Sequence, residues 1–276
     1  MAARSTTKAP PATRGPKFNE DDLRILIHAK RGLENPGLTA RITAVVGRPL
    51  ELALRLLPER WYGKIGATAE TVLLKALEYS LLTLRRTDGY RSRDWLHKTF
   101  AVLSGFVGGL LGIVALPLAL PLSVGVILRS IADIARSEEH DLSRTAAKLA
   151  CLEVFALGGT QSAETPAVGT YWVVRDALST HIAEAADRLA AADLTDRTAP
   201  ALGSLIAQVT SRFGVVASAQ AAAMLIPVIG AATGGTINYL LTHNFQRMAR
   251  GHFAILRLEK KYGTDLVRRT YDVLLV

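Results

Sequence analysis

The sequence predicts an all-α fold, a multi-helix bundle with two central apolar helical hairpins that glycine and proline break. Nearly half of the 276 residues are apolar (49%), but aromatic residues make up only 6%, so Ala, Leu, Val and Ile dominate. Ala and Leu are strong helix formers, and such a composition favours helices. Two long stretches without a formal charge, each interrupted by proline and glycine, supply the apolar centre of the predicted bundle.

The first elements in chain order are a basic tail and an amphipathic helix. The first four charged side chains are all basic: Arg4, Lys8, Arg14 and Lys17. Residues 1–18 are therefore predicted to be a disordered basic tail, and residues 19–276 a single α-helical domain. Asn19 is a candidate N-cap for a helix over 20–33, which the Asn-Pro-Gly sequence at 35–37 follows. Further helical patterns cover residues 50–57 and 64–86.

The first uncharged stretch runs from Thr99 to Leu128. A straight helix of that length would extend about 45 Å, beyond a bilayer core of about 30 Å. Pro117 and Pro121 interrupt it, because each lacks a backbone donor. We therefore predict a helix ending near residue 116, a bend through residues 117–121, and a second helix from Leu122.

Charged residues occupy one side of that second helix. Arg129, Asp133 and Arg136 are spaced i, i+4 and i+7, which places them on one face. This face lies in water or is paired within the protein. The following residues, 141–191, have the pattern of soluble helices, with a loop from Gly158 to Pro166.

The second uncharged stretch covers residues 213–246, with Pro227 and Gly230 in its middle. We predict a helix from about Gly234 that ends at Gly263, a residue suited to a helix C-terminus. Both stretches also contain a GxxxG spacing, at Gly108/Gly112 and Gly230/Gly234. This spacing is typical of close helix packing in soluble cores as well as in membranes.

Several segments of the chain resemble the EcsC family. They are RSIADIAR (129–136), CLEVFALGG (151–159), PVIGAATGGTIN (227–238) and FQRMARGHFAILRLEKKYG (245–263). The resemblance covers roughly residues 45–275, and it implies an α-helical EcsC-like domain. One departure falls at residues 137–140, where the family pattern implies a glycine. The family is named after a protein encoded beside an ABC transporter, and the resemblance implies no catalytic residues.

The motifs of common enzymes and metal sites are absent from the sequence. None of HExxH, GxSxG and GxxxxGK[ST] occurs, and the single cysteine, Cys151, has no second thiol for a zinc site. We therefore expect no cofactor and no metal. The sequence assigns no reaction, so whether the protein is an enzyme stays open.

Six polar residues in or beside the apolar segments are candidate site residues, because burying them without partners would be costly. They are Arg129, Asp133, Glu153, Asn238, His243 and Arg247. One interpretation is a mutually satisfied network, with Arg129 paired to Asp133, Glu153 to a basic side chain, and Asn238 to a free carbonyl. The other is a functional cluster that lines a pocket or a lipid-facing groove.

Two functions follow from the apolar segments. The first is a membrane-associated accessory or interaction protein, linked to transport or lipid, whose basic residues contact an anionic membrane surface or a membrane protein. The alternative is a soluble helical protein that binds or hydrolyses a lipid-like molecule in an apolar groove. The unpaired cysteine and the missing secretory signal favour a cytoplasmic location, at the inner face of the membrane in the first case. No nucleic-acid-binding pattern accompanies the basic residues, and the oligomeric state is not predicted.

Overall fold

The long helix near the end of the chain is the centre of the fold. A computed structural model describes residues 18–34, 94–111, 116–159, 170–191 and 227–275. These residues form seven helices and no strand, so the all-α prediction is confirmed. The helices are α1 (Glu20–Leu33), α2 (Asp94–Leu111), α3 (Leu116–Ser137), α4 (Thr145–Gly159), α5 (Thr170–Ala191), α6 (Pro227–Tyr262) and α7 (Thr264–Val273). The 36-residue α6 packs against α1, α2, α3, α4 and α7, while α5 packs against α4.

Several predicted elements lie outside the described residues. They are the tail up to residue 17, the helical patterns at 50–57 and 64–86, and the first part of the second uncharged stretch, 213–226. Phe18, assigned to the tail, stacks on Tyr262 with ring centroids 4.4 Å apart. Phe18 therefore packs on the end of α6.

Aromatic and branched side chains from α3, α4 and α6 form the core. Phe155 of α4 and Phe245 of α6 are fully buried, and their ring centroids are 4.8 Å apart. Ile131 and Ile134 of α3 and Phe253 of α6 extend the same cluster. Burial of side chains of this size contributes about 1.5–3 kcal/mol each, so this packing stabilises the three helices.

α1 packs against the two helices at the C-terminal end of the described chain, α6 and α7. It spans the predicted residues, and Asn19 has the extended backbone of an N-cap, but its side chain makes no capping hydrogen bond. Near the end of α1, the buried Lys30 donates to the carbonyl oxygens of Tyr271 (2.7 Å) and Leu274 (2.8 Å). Lys30 thus supplies a positive charge to the C-terminal end of α7, where helix carbonyls lack partners.

The break in the first uncharged stretch differs from the prediction. α3 already begins at Leu116 and continues through Pro121, so residues 117–121 are helical. Proline is tolerated in the first turn, where backbone N–H groups have no acceptor within the helix, and Pro121 removes one bond near the helix start. The link between α2 and α3, residues 112–115, lies outside the described residues.

The proline of the second uncharged stretch, Pro227, also lies within a helix. α6 covers Pro227–Tyr262, so the seven residues before the predicted start at Gly234 are helical as well. Gly263 ends α6 as predicted, and its φ of +85° is a conformation that glycine adopts without strain.

The departure from the family pattern, at residues 137–140, falls in the turn after α3. Glu139 has a φ of +65°, the left-handed conformation that glycine favours. The next residue, His140, is buried, and its Nε2 donates to the carbonyl oxygen of Phe253 at 3.0 Å. The tight turn therefore brings His140 into the core, although a non-glycine residue occupies the strained position.

Candidate functional site

α2 presents its large apolar side chains to solvent and its small ones to the protein. Seven large side chains along it are between 45% and 67% exposed: Trp95, Phe100, Leu103, Phe106, Val107, Leu110 and Leu111. We call these seven residues the outer face. At 100° per residue they share one half of the helix. The opposite half is buried and contains small residues, among them Ala101, Gly105, Gly108 and Gly109.

The small residues let α2 approach the backbone of α6. A Cβ atom built on Gly105 would lie 2.4 Å from the carbonyl oxygen of Gly234, which leaves no room for any side chain there. A Cβ on Gly235 would lie 3.3 Å from the carbonyl oxygen of Val102. Small residues at the helix contact and large ones outside are typical of helices in lipid, where apolar burial does not drive helix association.

A carboxylate on α3 holds the first turn of α2. The Nε2 atom of His97 donates to Oδ2 of Asp133 at 2.7 Å, and Nη2 of Arg136 donates to Oδ1 at 2.9 Å. Burial raises the pKa of Asp133, but the hydrogen bonds and electrostatic interactions with His97 and Arg136 outweigh it, so its pKa lies below the ordinary value. Asp133 therefore acts as an ionised anchor for α2.

α6 also contacts the beginning of α2 through polar groups. Arg250 forms an ion pair with Asp94. The buried Gln246 donates through Nε2 to the Asp94 carbonyl oxygen at 3.2 Å and to the Ser130 hydroxyl at 2.8 Å. One amide thereby links α6 to both α2 and α3.

Asn238 connects the same three helices farther along. Its Nδ2 atom donates to the hydroxyls of Ser123 (3.1 Å) and Ser104 (3.4 Å). Asn238 and Ser123 are buried. The sequence predicted a carbonyl partner for this amide, whereas these two contacts are with hydroxyl groups.

Glu153 of α4 belongs to a second, deeply buried polar group. Its Oε1 lies 3.9 Å from Arg175 Nε, and its Oε2 lies 3.4 Å from Nε2 of His252, which is fully buried. The Tyr171 hydroxyl and His252 Nδ1 share a hydrogen bond of 3.1 Å, and Arg175 makes a bidentate pair with Glu259 at 2.7 Å. The prediction of a basic partner for Glu153 agrees with these contacts. With His252 fully enclosed, we assign this group a structural role.

The six sequence-derived candidates have different neighbours. Asp133, Glu153 and Asn238 take part in the three polar groups above. Arg129 is exposed, and Asp133 instead contacts His97 and Arg136.

The last two candidates lie on α6. His243 stacks on Tyr239, with ring centroids 6.0 Å apart. Nη2 of Arg247 donates to Oδ1 of Asn244 at 3.0 Å.

Three residues that fix α2 were not predicted from the sequence: His97, Asp94 and Gln246. Their positions were the one sequence signal. Asp94 and His97 lie just before the first uncharged stretch, and Gln246 is the last residue of the second uncharged stretch. Their partners are 36 to 156 residues away in sequence, so no local spacing reveals them.

The described residues contain no candidate metal site and no reactive thiol. These residues contain no group of three His, Cys, Asp or Glu side chains placed to hold a metal ion. Burial raises the pKa of the Cys151 thiol to about 12, so it stays protonated and unreactive near neutral pH. Nor does any helix in the described part of the chain have the length and apolar character needed to cross a membrane.

These features define an all-α protein with an outward-facing apolar helix fixed by buried polar groups. The model of the EcsC protein family matches residues 22–258, so the chain belongs to the EcsC family. The match begins within α1, earlier than the resemblance to residues 45–275 implied. No curated protein and no solved structure matches the chain.

Proposed function

We propose that this EcsC-family chain is a membrane-associated accessory or interaction protein, linked to lipid or transport, at the inner face of the cytoplasmic membrane. The observation that carries the proposal is the outer face of α2. Its seven large apolar side chains point away from the protein, while small residues make the contacts with α6. In water this arrangement exposes the surface that a globular protein ordinarily buries.

Transfer of the outer face into lipid is favourable by about 25 cal/mol per Å² of apolar surface, on the order of 1 kcal/mol for each half-exposed side chain. Several such residues on one helix therefore suffice for reversible binding to a bilayer. Because the polar groups around Asp133 and Gln246 already hold α2 against α3 and α6, the protein need not unfold to bind.

The test is flotation with vesicles of phosphatidylcholine and phosphatidylglycerol. We expect the protein to float, and the triple variant Leu103→Ser, Val107→Ser, Leu110→Ser to bind at least about tenfold more weakly, since three apolar side chains no longer enter lipid. The matched control replaces Val173 and Val273 by Ser, because these residues are 68% and 78% exposed on α5 and α7. Equal loss of binding in both variants, or no flotation of the wild type, contradicts the proposal.

The alternative, a soluble protein that binds or hydrolyses a lipid-like molecule in an apolar groove, rests on the same exposed side chains. It requires a monodisperse protein without detergent that retains a stoichiometric lipid after purification. Mass spectrometry of the native protein detects such a complex, and a retained lipid together with absent flotation would favour the alternative.

A further inference from the structure

The charges on α2, α3 and α6 are all confined to one end of this three-helix group. α2 has no charged residue from Thr99 to Leu111, α3 has none from Leu116 to Leu128, and α6 has none from Pro227 to Gln246. At the helical rise, the uncharged parts of α2 and α3 are each about 20 Å long. Whether they form one uncharged surface depends on how the helices are aligned.

α2 and α3 run antiparallel with their uncharged parts side by side. His97 contacts Asp133 near the start of α2, whereas Ser104, farther along α2, shares the Asn238 amide with Ser123 near the start of α3. The C-terminal part of α2 therefore lies beside the N-terminal part of α3.

α6 also aligns its uncharged part with theirs. Gly234 packs on Gly105, and Gln246 contacts the Asp94 carbonyl and the Ser130 hydroxyl. α6 is thus antiparallel to α2, and its N-terminal half lies beside the C-terminal half of α2. We call the uncharged segments of α2 and α3, together with residues 227–239 of α6, the apolar tip; each of the three is about 20 Å long.

Aromatic and cationic residues mark the level at which the apolar tip begins. Trp95 is exposed in the first turn of α2, and Lys98 Nζ lies 5.6 Å from the ring centroid of the exposed Tyr239. Arg129 is exposed next to Ser130, and so lies near the same level. Trp and Tyr concentrate at the boundary between lipid and water, and Lys and Arg there contact anionic headgroups.

We propose that the apolar tip enters a single leaflet of a phospholipid bilayer, to the level of Trp95, Lys98, Arg129 and Tyr239. A length of about 20 Å exceeds the hydrocarbon of one leaflet, about 15 Å, and falls short of the whole core of about 30 Å. The acidic side chains Asp94 and Asp133 lie beyond the boundary residues, each paired with a cation. The inference rests on the proposed membrane association and adds to it an orientation, a depth and a preference for anionic lipid.

Depth-dependent quenching tests the orientation. The buried Cys151 does not compete for thiol reagents, so single cysteines at Leu110, Phe100 and Val173 can each carry an NBD fluorophore in the full chain. Vesicles of 70% phosphatidylcholine and 30% phosphatidylglycerol contain lipid brominated either deep in the acyl chain or near the headgroup. We expect the label at 110 to be quenched most by deep bromine, the label at 100 by shallow bromine, and the label at 173 by neither.

The outcomes separate this inference from the proposed function. If the protein floats but the label at 110 stays in water, or if all three positions report one depth, the insertion is wrong while membrane association stands. If the protein does not float, membrane association itself fails. The label at 110 could also be shielded from water before vesicles are added, in a protein that is a dimer. That result would assign the outer face to a second copy of the chain and would overturn the inference.

Charge removal tests the boundary. Lys98→Gln and Arg129→Gln should each weaken binding to the anionic vesicles about fivefold, and should leave binding to pure phosphatidylcholine unchanged. Arg31→Gln and Arg269→Gln, at exposed positions on α1 and α7, are the matched controls. If both pairs of substitutions had an equal effect, the attraction would depend only on the net charge of the protein. That result would contradict contact of Lys98 and Arg129 with the headgroups.

Discussion

Gly105 of α2 and Gly234 of α6 pack backbone against backbone, since a Cβ on either would lie within 2.5 Å of the other's carbonyl oxygen. Gly105→Ala should therefore force the two helices apart and lower the free energy of unfolding by roughly 2–4 kcal/mol, the range of severe overpacking. Chemical denaturation measures the change.

Gly125→Ala on α3 is the matched control for this prediction, because a Cβ there meets no atom within 4 Å. The control should be neutral or more stable by up to about 1 kcal/mol, as alanine is the better helix former. If Gly105→Ala behaved like Gly125→Ala, the close approach of α2 and α6 would be wrong.

Asp133, rather than Arg129, should decide the stability of the polar contact between α2 and α3. Asp133→Ala leaves His97 and Arg136 without their shared acceptor and should cost roughly 2–4 kcal/mol. Arg129→Ala removes an exposed side chain and should cost less than about 0.5 kcal/mol. Thermal denaturation of both variants, with a double-mutant cycle between His97 and Asp133, measures these effects. Comparable losses would instead support the Arg129–Asp133 pair that the sequence predicted.

His140 should make the protein less stable as the pH falls below about 6.5. Burial lowers the pKa of His140 to about 4, and neighbouring cations, including Lys260, act in the same direction. Between pH 6.5 and about 4 the unfolded chain therefore binds a proton that the native state does not, so stability falls with pH by up to about 1.4 kcal/mol per unit.

His140→Gln should flatten this pH dependence within the same window. The comparison with wild type is needed because burial raises the pKa of the nearby Glu138, a change that acts in the opposite sense. Urea titrations of both proteins at pH 4.5, 5.5 and 7 provide the measurement. Parallel curves for the two proteins would show that His140 is not the group responsible.

Glu139→Gly should stabilise the turn after α3, because glycine adopts a φ of +65° without the strain that a Cβ causes. The expected gain is about 0.5–1 kcal/mol, reduced by the greater freedom of glycine in the unfolded chain. Glu139→Ala loses the same carboxylate and keeps the strain, so it should give no gain. A similar effect of both substitutions on the melting temperature would point to charge rather than backbone strain.

Local signals in the sequence predict where helices end, but they do not predict contacts between residues that are distant in sequence. Asn19 and Gly263 indicated the beginning of α1 and the end of α6, because caps and left-handed residues act within one turn. The prolines at 117, 121 and 227 predict interruptions, but the helices α3 and α6 include all three. Sequence alone does not distinguish a proline that begins a helix from one that bends it.

The contacts of the site depend on helix alignment, which no local pattern contains. The GxxxG spacing pointed to close packing in both uncharged stretches, and Gly234 does pack closely, but its partner Gly105 is outside the motif that was noted. Likewise, the charged stripe on α3 was visible, whereas its contact with His97 required the position of α2. The sequence also does not reveal that α2 buries its small residues and exposes its large apolar ones, because this requires knowing which side of the helix is buried.

The contact of Lys30 with the carbonyl groups of Tyr271 and Leu274 bears on the order of events during translation. α1 is made before the acceptors for its buried ammonium group, which lie 241 and 244 residues later in the chain. Until then Leu26, Ala29 and Leu33, which are buried in the finished domain, have no α6 or α7 to cover them. While the intervening residues are being made, these side chains lack the helices that bury them, and transiently exposed apolar surface of this kind favours aggregation.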